Sequence, residues 1–533
     1  MKRLFIFAMI VFSLSRVEAE RPNVVFIYAD DWGWGDLACH GHPHLKTPNL
    51  DRLAREGTDF QQFVVCNPVC SPSRTAIVTG QYPARHLVHQ HFASHEQNVE
   101  RGMPDWLDPK VTLLPRLMQQ AGYKTAHFGK WHLSGGGRDI QAPPPAEYGY
   151  DEAAVWTGPG RSVFEGTSVA DQAGDAHDTT GASFQTTAAT EHALRFIRAS
   201  QGSSFFVNLW IHETHHLVSA TEEDKKAYPD TAEPQRTYFS AITRADKQIG
   251  RVLDLLNELN LTKNTIVIFS SDNGPENPME KPGQKLYFSV GDTGGLRGRK
   301  RSLYMGGVNV PFLVRWPGVV PTKRVDKTSV IAGVDVMPTL LAAAGITPPK
   351  DWQPDGTNII AALKGESLTR PSPLFWEWRG PNSKEADWPQ LAMRDGEHTL
   401  VTRFDGQRVE LYDLSQDRQQ QNNLVTAQPE RTAQMMAAIH AWQKTLPAPT
   451  APETKSGAAK KSTPPLKTPQ ATNKMSAKNL RSTFKRWDKD GNSLLSFEEY
   501  SQGLAKKDNA PARFKNFDRN SDGNVSEAEF VER

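Results

Sequence analysis

Cysteine is scarce in this chain: three in 533 residues, at Cys39, Cys66 and Cys70. That excludes a fold stapled by disulfides. No Cys/His set has the spacing of a zinc site. Net charge is nearly absent, with 62 Lys and Arg against 60 Asp and Glu. A chain so balanced does not bind nucleic acid or a membrane surface through bulk charge. Beyond the N-terminus no apolar run approaches the ~20 residues that span a bilayer, so no transmembrane anchor is expected. The mean hydropathy of −0.55 and 38% hydrophobic content fit a soluble chain with a solvated tail.

What is present begins with an export pattern. Lys2 and Arg3 form a basic start, Leu4 to Leu14 is apolar, and Val17-Glu18-Ala19 has small residues where a signal peptidase reads. Residues 1–19 are therefore expected to be a cleaved signal, leaving a periplasmic or secreted protein. Residues 20–370 alternate short apolar runs with helical patterns. That predicts an α/β domain with a large, mainly parallel sheet flanked by helices. Residues 371–446 read as a smaller α+β subdomain: "HTLVTRF" and "VELYDL" predict antiparallel strands around the turn Asp405-Gly406-Gln407, then a helix from about Pro429 to Lys444 with Met436, Ile439 and Trp442 on it. Residues 447–475, rich in Pro, Ala, Lys and Thr, cannot bury a core and read as a flexible linker. Residues 476–533 read as a separate module.

Four apolar runs predict buried strands: Asn23–Ala29, Tyr123–Phe128, Phe205–Ile211 and Thr265–Ser270. Ligands of such sheets bind at the carboxyl ends of the strands. The first strand runs into Asp30-Asp31. The second reaches Lys130 and His132, the third His212, His215 and His216, the fourth Asp272-Asn273. If the strands are parallel, these groups share one edge. Three carboxylates and an amide oxygen suit a hard divalent cation. Lysines beside it suit an anionic substrate such as sulfate or phosphate, and a histidine can move protons.

The stretch "VCSPSRTAIVTG" (Val69 to Gly80) belongs with them. Helical pattern from Thr75 to Gly80 places Cys70 and Arg74 near a helix N-terminus, a natural anion site that lowers a thiol pKa. A thiolate nucleophile is one reading, but thiolates match hard oxygen-ligated metals poorly. Cys39 and Cys66 are left as one disulfide or two buried thiols.

"CSPSRTAIVTG" resembles the signature of the formylglycine-dependent sulfatases, of the arylsulfatase and N-acetylgalactosamine-6-sulfatase type, within the alkaline-phosphatase-like superfamily. "YADDWGWGDL", "TPNLDRLAREG", "GKWHL", "SDNG" and "LRGRKRSLYMGGVNVPFLVRWPG" resemble its other motifs, over roughly Arg21 to Leu446. The resemblance implies that a separate formylglycine-generating enzyme oxidises Cys70 during export. The hydrated aldehyde then attacks sulfur, forms a sulfate ester on the enzyme, and expels sulfate by collapsing back. It further implies Ca²⁺ held by Asp30, Asp31, Asp272, Asn273 and residue 70. Arg74 would hold the nucleophile, with His132 beside it. Lys130 and Lys300 would hold sulfate oxygens, and His215 would lie near the leaving oxygen, with His212 a weaker neighbour. Two positions depart from the family pattern: Met305 stands where Glu is frequent, and Ser134 where Gly is.

The tail carries two loops with EF-hand spacing, starting 30 residues apart. The first offers Asp488, Asp490, Asn492 and Glu499; the second offers Asp518, Asn520, Asp522, Asn524 and Glu529. Leu495 and Val525 fall where paired loops bridge. Gly523 occupies the sharp-turn position of the second loop, and Ser493 that of the first, where a side chain makes the turn costlier. The expected function is hydrolysis of sulfate esters on a sulfated carbohydrate. The alternatives are a phosphatase or phosphodiesterase of the same superfamily and a catalytically silent calcium-binding surface protein.

Overall fold

A computed structural model describes residues 21–135, 141–158, 161–163, 182–215, 218–277, 290–380, 389–448, 483–503, 514, 517–518 and 522–531. The expected signal, most of the expected linker, His216 and Asn520 lie outside the described residues. The chain divides into two compact units, Met1–Thr454 and Lys455–Arg533.

The first unit opens with eleven strands: β1 (Asn23–Ala29), β2 (Thr58–Phe60), β3 (Phe63–Val64), β4 (Lys124–Lys130), β5 (Glu152–Gly158), β6 (Arg161–Val163), β7 (Phe205–Trp210), β8 (Thr265–Ser271), β9 (Phe312–Arg315), β10 (Arg324–Asp326) and β11 (Ile331–Ala332). Nine form one sheet in the order β10-β2-β9-β8-β1-β7-β4-β5-β6, while β3 and β11 pair separately. The run β8-β1-β7-β4-β5 is parallel throughout. All seven residues of β1 are buried because helices cover both sheet faces. Val24, Phe26 and Tyr28 enter one core; Val25, Ile27 and Ala29 enter the other. The helix Gln235–Glu258 closes the second core with Ile249, Val252, Leu253 and Leu256, the spacing seen in the sequence.

One boundary differs from expectation. The helix expected from Thr75 begins at Cys70 and runs to Thr79. Pro72 is third in this helix, within the first turn, where its missing N–H would have had no partner anyway. "SPS" therefore starts this helix instead of delaying it.

Strands β12 (Leu374–Glu377), β13 (Leu391–Asp395), β14 (His398–Thr402) and β15 (Val409–Asp413) form the expected antiparallel sheet. Gly406 turns the β14–β15 link at φ 69°. The helix Pro429–Gln443 packs on this sheet through Met435, Ile439 and Trp442, with Met436 half-buried beside Met435. These side chains join the same core as β1, so the sheet is an extension of the first unit's interior.

In the second unit, β16 (Leu494–Ser496) and β17 (Asn524–Ser526) pair antiparallel with Leu495 opposite Val525. Phe484, Tyr500, Phe514 and Phe530 surround that pair. Ser493 takes φ 66° and Gly523 φ 87°. No described helix is long and apolar enough to cross a membrane.

Candidate active site

Parallel pairing puts the ends of β1, β7, β4 and β8 along one edge, and the expected residues meet there. Asp30, Asp31, Cys70 and Asp272 each offer a ligand atom, all within 4.8 Å of one another and all buried. Cys70 is the first residue of its helix, and its Sγ lies 3.6 Å from Asp30 Oδ1 and 3.4 Å from Lys130 Nζ. Lys130 pairs with Asp30 Oδ2, which also takes His212 Nδ1 at 2.9 Å. Arg74 donates from Nε and Nη2 to Asp272 Oδ2 at 3.1 and 2.6 Å. The Trp210 and Tyr28 rings flank its guanidinium at 4.9 and 5.6 Å. Lys300 Nζ contacts both Asp31 oxygens, at 2.5 and 2.6 Å.

The backbone is bent where it delivers these groups. Asp31, His132 and Arg301 adopt φ of 65°, 51° and 69°, conformations rare for residues with side chains. Gly129 precedes Lys130 at φ 104°, and a Cβ there would lie 2.1 Å from the Trp210 carbonyl oxygen. A Cβ on Gly274 would lie 1.9 Å from the Gly306 carbonyl oxygen. Gly306 in turn donates to Arg297 O at 2.7 Å, tying down the loop that carries Lys300. The glycines around Met305 thus work by close backbone approach, and Met305 in place of Glu leaves that approach intact.

Burial sets the protonation states. It pushes the Cys70 thiol up to about 12, so the thiol is protonated at neutral pH despite Lys130 and Lys300. Burial thus favours the neutral thiol over a thiolate at the unmodified side chain. Burial holds His132 and His215 well below their ordinary value and His212 at about 4. His132 Nε2 lies 3.1 Å from Phe92 O, which can only accept, so Nε2 carries the proton. His132 Nδ1 is buried with no hydrogen-bond partner, leaving a vacant proton acceptor. The ring of His215 stands 5.0 Å from that of His212. Burial would raise Asp30, but Lys130, His215 and His212 outweigh it and hold the carboxyl well below the usual range. Burial pushes Asp31 to about 7 against the pull of Lys300.

The donor set fits a hard cation. The three carboxylates supply oxygen, and Asn273 Oδ1 is buried with no hydrogen-bond partner while its Nδ2 donates to Asp31 Oδ1 at 2.7 Å. An unpaired buried carbonyl costs about 1–3 kcal/mol, which a bound cation removes. Sequence reasoning missed Glu276 and Arg301. Glu276 Oε2 pairs with Arg301 Nη2 at 2.8 Å and lies 3.7 Å from Lys300. Both come from polar loops with no periodicity to mark them. Cys39 and Cys66 are free thiols, Cys66 buried and Cys39 exposed, so neither the disulfide nor a pair of buried thiols is realised.

The family model Sulfatase matches residues 22–346, and the model for the N-sulphoglucosamine sulphohydrolase C-terminal region matches 298–445. The chain belongs to the sulfatase family. Among this sulfatase's relatives is the human N-acetylgalactosamine-6-sulfatase, 34% identical over 66% of this chain and 67% of that protein. The rat arylsulfatase G is 30% identical over 70% and 74%. Ps i-CgsB, solved in complex with k-i-k-neocarrahexaose, shares the fold at TM-score 0.68 and 22% identity, covering 81% of this chain and 94% of that one. The phosphonate monoester hydrolase of Agrobacterium radiobacter shares it at TM-score 0.55 and 20% identity, over 80% and 95%. The fold thus also occurs in a protein named for another ester class, and family membership makes this sulfatase a sulfuric ester hydrolase.

Proposed function

We propose that this sulfatase is exported and hydrolyses sulfate esters on a sulfated carbohydrate, using Ca²⁺ and a formylglycine made from Cys70. The observation that carries the reading is Cys70 itself: buried, protonated, at a helix start, among three aspartates and two lysines. Such a thiol is neither a nucleophile nor a ligand for a hard ion, whereas an oxygen at the same position would be both. Formylglycine, formed by a separate modifying enzyme, would supply an oxygen nucleophile at residue 70.

The chain's own residues have the following parts. Asp30, Asp31, Asp272 and Asn273 hold the cation, with residue 70 completing the set. Lys130 and Lys300, paired with Asp30 and Asp31, would supply the cationic donors for sulfate oxygens. Arg74, fixed by Asp272, holds residue 70. His132 Nδ1 accepts a proton, and His215 serves the leaving oxygen. The carbohydrate assignment draws on the relatives: N-acetylgalactosamine-6-sulfatase is named for a sulfated amino sugar. Export follows from the N-terminal pattern.

The second unit is proposed to be an EF-hand pair that binds Ca²⁺ structurally. In support, Glu499 folds back onto the backbone of its own loop, accepting from Lys489 N at 2.8 Å. Asp488, Asp490 and Glu499 also gather ligand atoms within 4.8 Å.

A panel of sulfated sugars and matched phosphate esters tests the reading. Sulfate release should be at least a thousandfold faster than phosphate release and should vanish in Cys70→Ala. Preference for the phosphate esters would favour the phosphatase alternative, and full sulfate release by Cys70→Ala would refute the role of residue 70.

A further inference from the structure

A second basic cleft lies on the same edge of the sheet as the catalytic cluster. Strand β2 is antiparallel to β9, which is antiparallel to β8, so β2 runs in the sense of β8, and β10 is parallel to β2. Gln61 and Gln62 follow β2, and Lys327 follows β10, as Asp272 follows β8. With strands about 4.8 Å apart, the cleft sits two to three spacings from Asp272, roughly 10–14 Å along the edge. Its volume is about 400 Å³, and Arg394 and Arg418 from the C-terminal sheet region complete it.

Its charge is poorly compensated. Arg394 is 2% exposed; its Nε donates to Gly396 O at 3.0 Å and its Nη2 to Gln62 Oε1. The nearest carboxylate is Glu397 at 3.7 Å, on the rim and 39% exposed. Burial lowers Arg394 to about 10, so it is still a cation at neutral pH. Arg418 donates to Gln61 O at 3.2 Å and lies 4.3 Å over the Trp34 ring; among described residues it makes no ion pair. Asp59 is the acid nearest in effect to Arg418, and it is already held by His40 and Gln61. Lys327 is exposed at the mouth. Two guanidinium groups and an ammonium thus face one rim carboxylate, an arrangement that recognises a sulfate or carboxylate group.

The cleft is also tied to the catalytic cluster. Trp34, under Arg418, belongs to the same β1 loop as Asp30 and Asp31. Met305, on the cleft wall, opens the short helix whose Gly306 anchors the Lys300 loop.

We propose that the cleft formed by Lys327, Arg394 and Arg418 is a subsite for a second anionic group of a polyanionic saccharide whose scissile sulfate lies at residue 70. The proposal rests on the carbohydrate reading above. It makes the substrate an oligomer: the span along the edge is longer than one sugar, so a monosaccharide occupies only the catalytic end.

Calorimetry on the full-length Cys70→Ala protein reads binding without turnover, so the outcome does not depend on the nucleophile. The probes are a tetrasaccharide with one sulfate per disaccharide, a monosulfated monosaccharide, and inorganic sulfate. Adding Arg418→Gln and Lys327→Gln should weaken the tetrasaccharide at least tenfold and leave the monosaccharide within twofold. Arg418→Lys alone should retain most of the affinity. The proposal fails if the tetrasaccharide does not bind, if its affinity is unchanged by the substitutions, or if both sugars weaken equally. It also fails if inorganic sulfate alone loses binding, which would mark a site for the free ion.

Discussion

Arg74 gives the sharpest test of how the site is built. It is fully buried, donates twice to Asp272 Oδ2 and is flanked by Trp210 and Tyr28. Arg74→Met keeps most of the volume and removes the charge, leaving Asp272 buried without its closest cation. Breaking a buried pair from one side costs about 3–5 kcal/mol. Unfolding entropy is about 2.1 cal/mol/K per residue, or roughly 0.95 kcal/mol/K across the first unit, so the loss is a fall in Tm of about 3–5 °C. Differential scanning calorimetry in EDTA should show that fall. Excess Ca²⁺ should shrink it, because a cation beside Asp272 replaces the lost charge. A fall below about 1 °C in EDTA would refute the buried pair, and a fall unchanged by Ca²⁺ would refute the proposed cation at Asp272.

Other perturbations follow from the same geometry. Gly129→Ala puts a Cβ 2.1 Å from the Trp210 carbonyl oxygen at φ 104°, so it should cost more than about 3 kcal/mol or prevent soluble expression; a Tm like the parent's would contradict the contact. Burial would raise Glu276, but Lys300 and Arg301 outweigh it and hold it at about 2 against an ordinary 4.5. A depressed carboxyl stabilises the fold above its unfolded pKa and loses that contribution as pH falls. The stability gap between the parent and Glu276→Gln should therefore shrink by on the order of 3 kcal/mol between pH 5 and pH 2, read by urea titration at each pH. Ser493→Gly relieves a left-handed backbone worth about 1 kcal/mol, so full-chain calorimetry should find the first tail loop binding Ca²⁺ about fivefold tighter.

The arrangement of the site was largely legible because it depends on topology. Once β1, β4, β7 and β8 were read as parallel buried strands, whatever followed each had to meet at one edge, and Asp30, Lys130, His212 and Asp272 do. Local punctuation was harder. The helical pattern is readable only from Thr75, yet Pro72 fits the first turn, so Cys70 starts the helix instead of preceding it. The left-handed backbones at Asp31, His132 and Arg301 left no trace, since nothing but packing forces a non-glycine residue there. Contacts between distant loops were equally silent. Glu276 with Arg301, and Gln62 with Arg394 across 332 positions, are set by tertiary packing that no periodicity records.

Under the proposed function, Cys70 is the precursor of the reacting group. Trypsin releases Glu56–Arg74, which carries Cys66 and Cys70 together. Mass spectrometry of that peptide, from protein made in its native host and treated with an alkylating agent, compares the two positions within one molecule. Position 66 should carry alkylated cysteine and position 70 an unalkylated residue about 18 Da lighter than cysteine, as thiol-to-aldehyde conversion requires. Alkylated cysteine at both positions, in protein that releases sulfate at full rate, would contradict it.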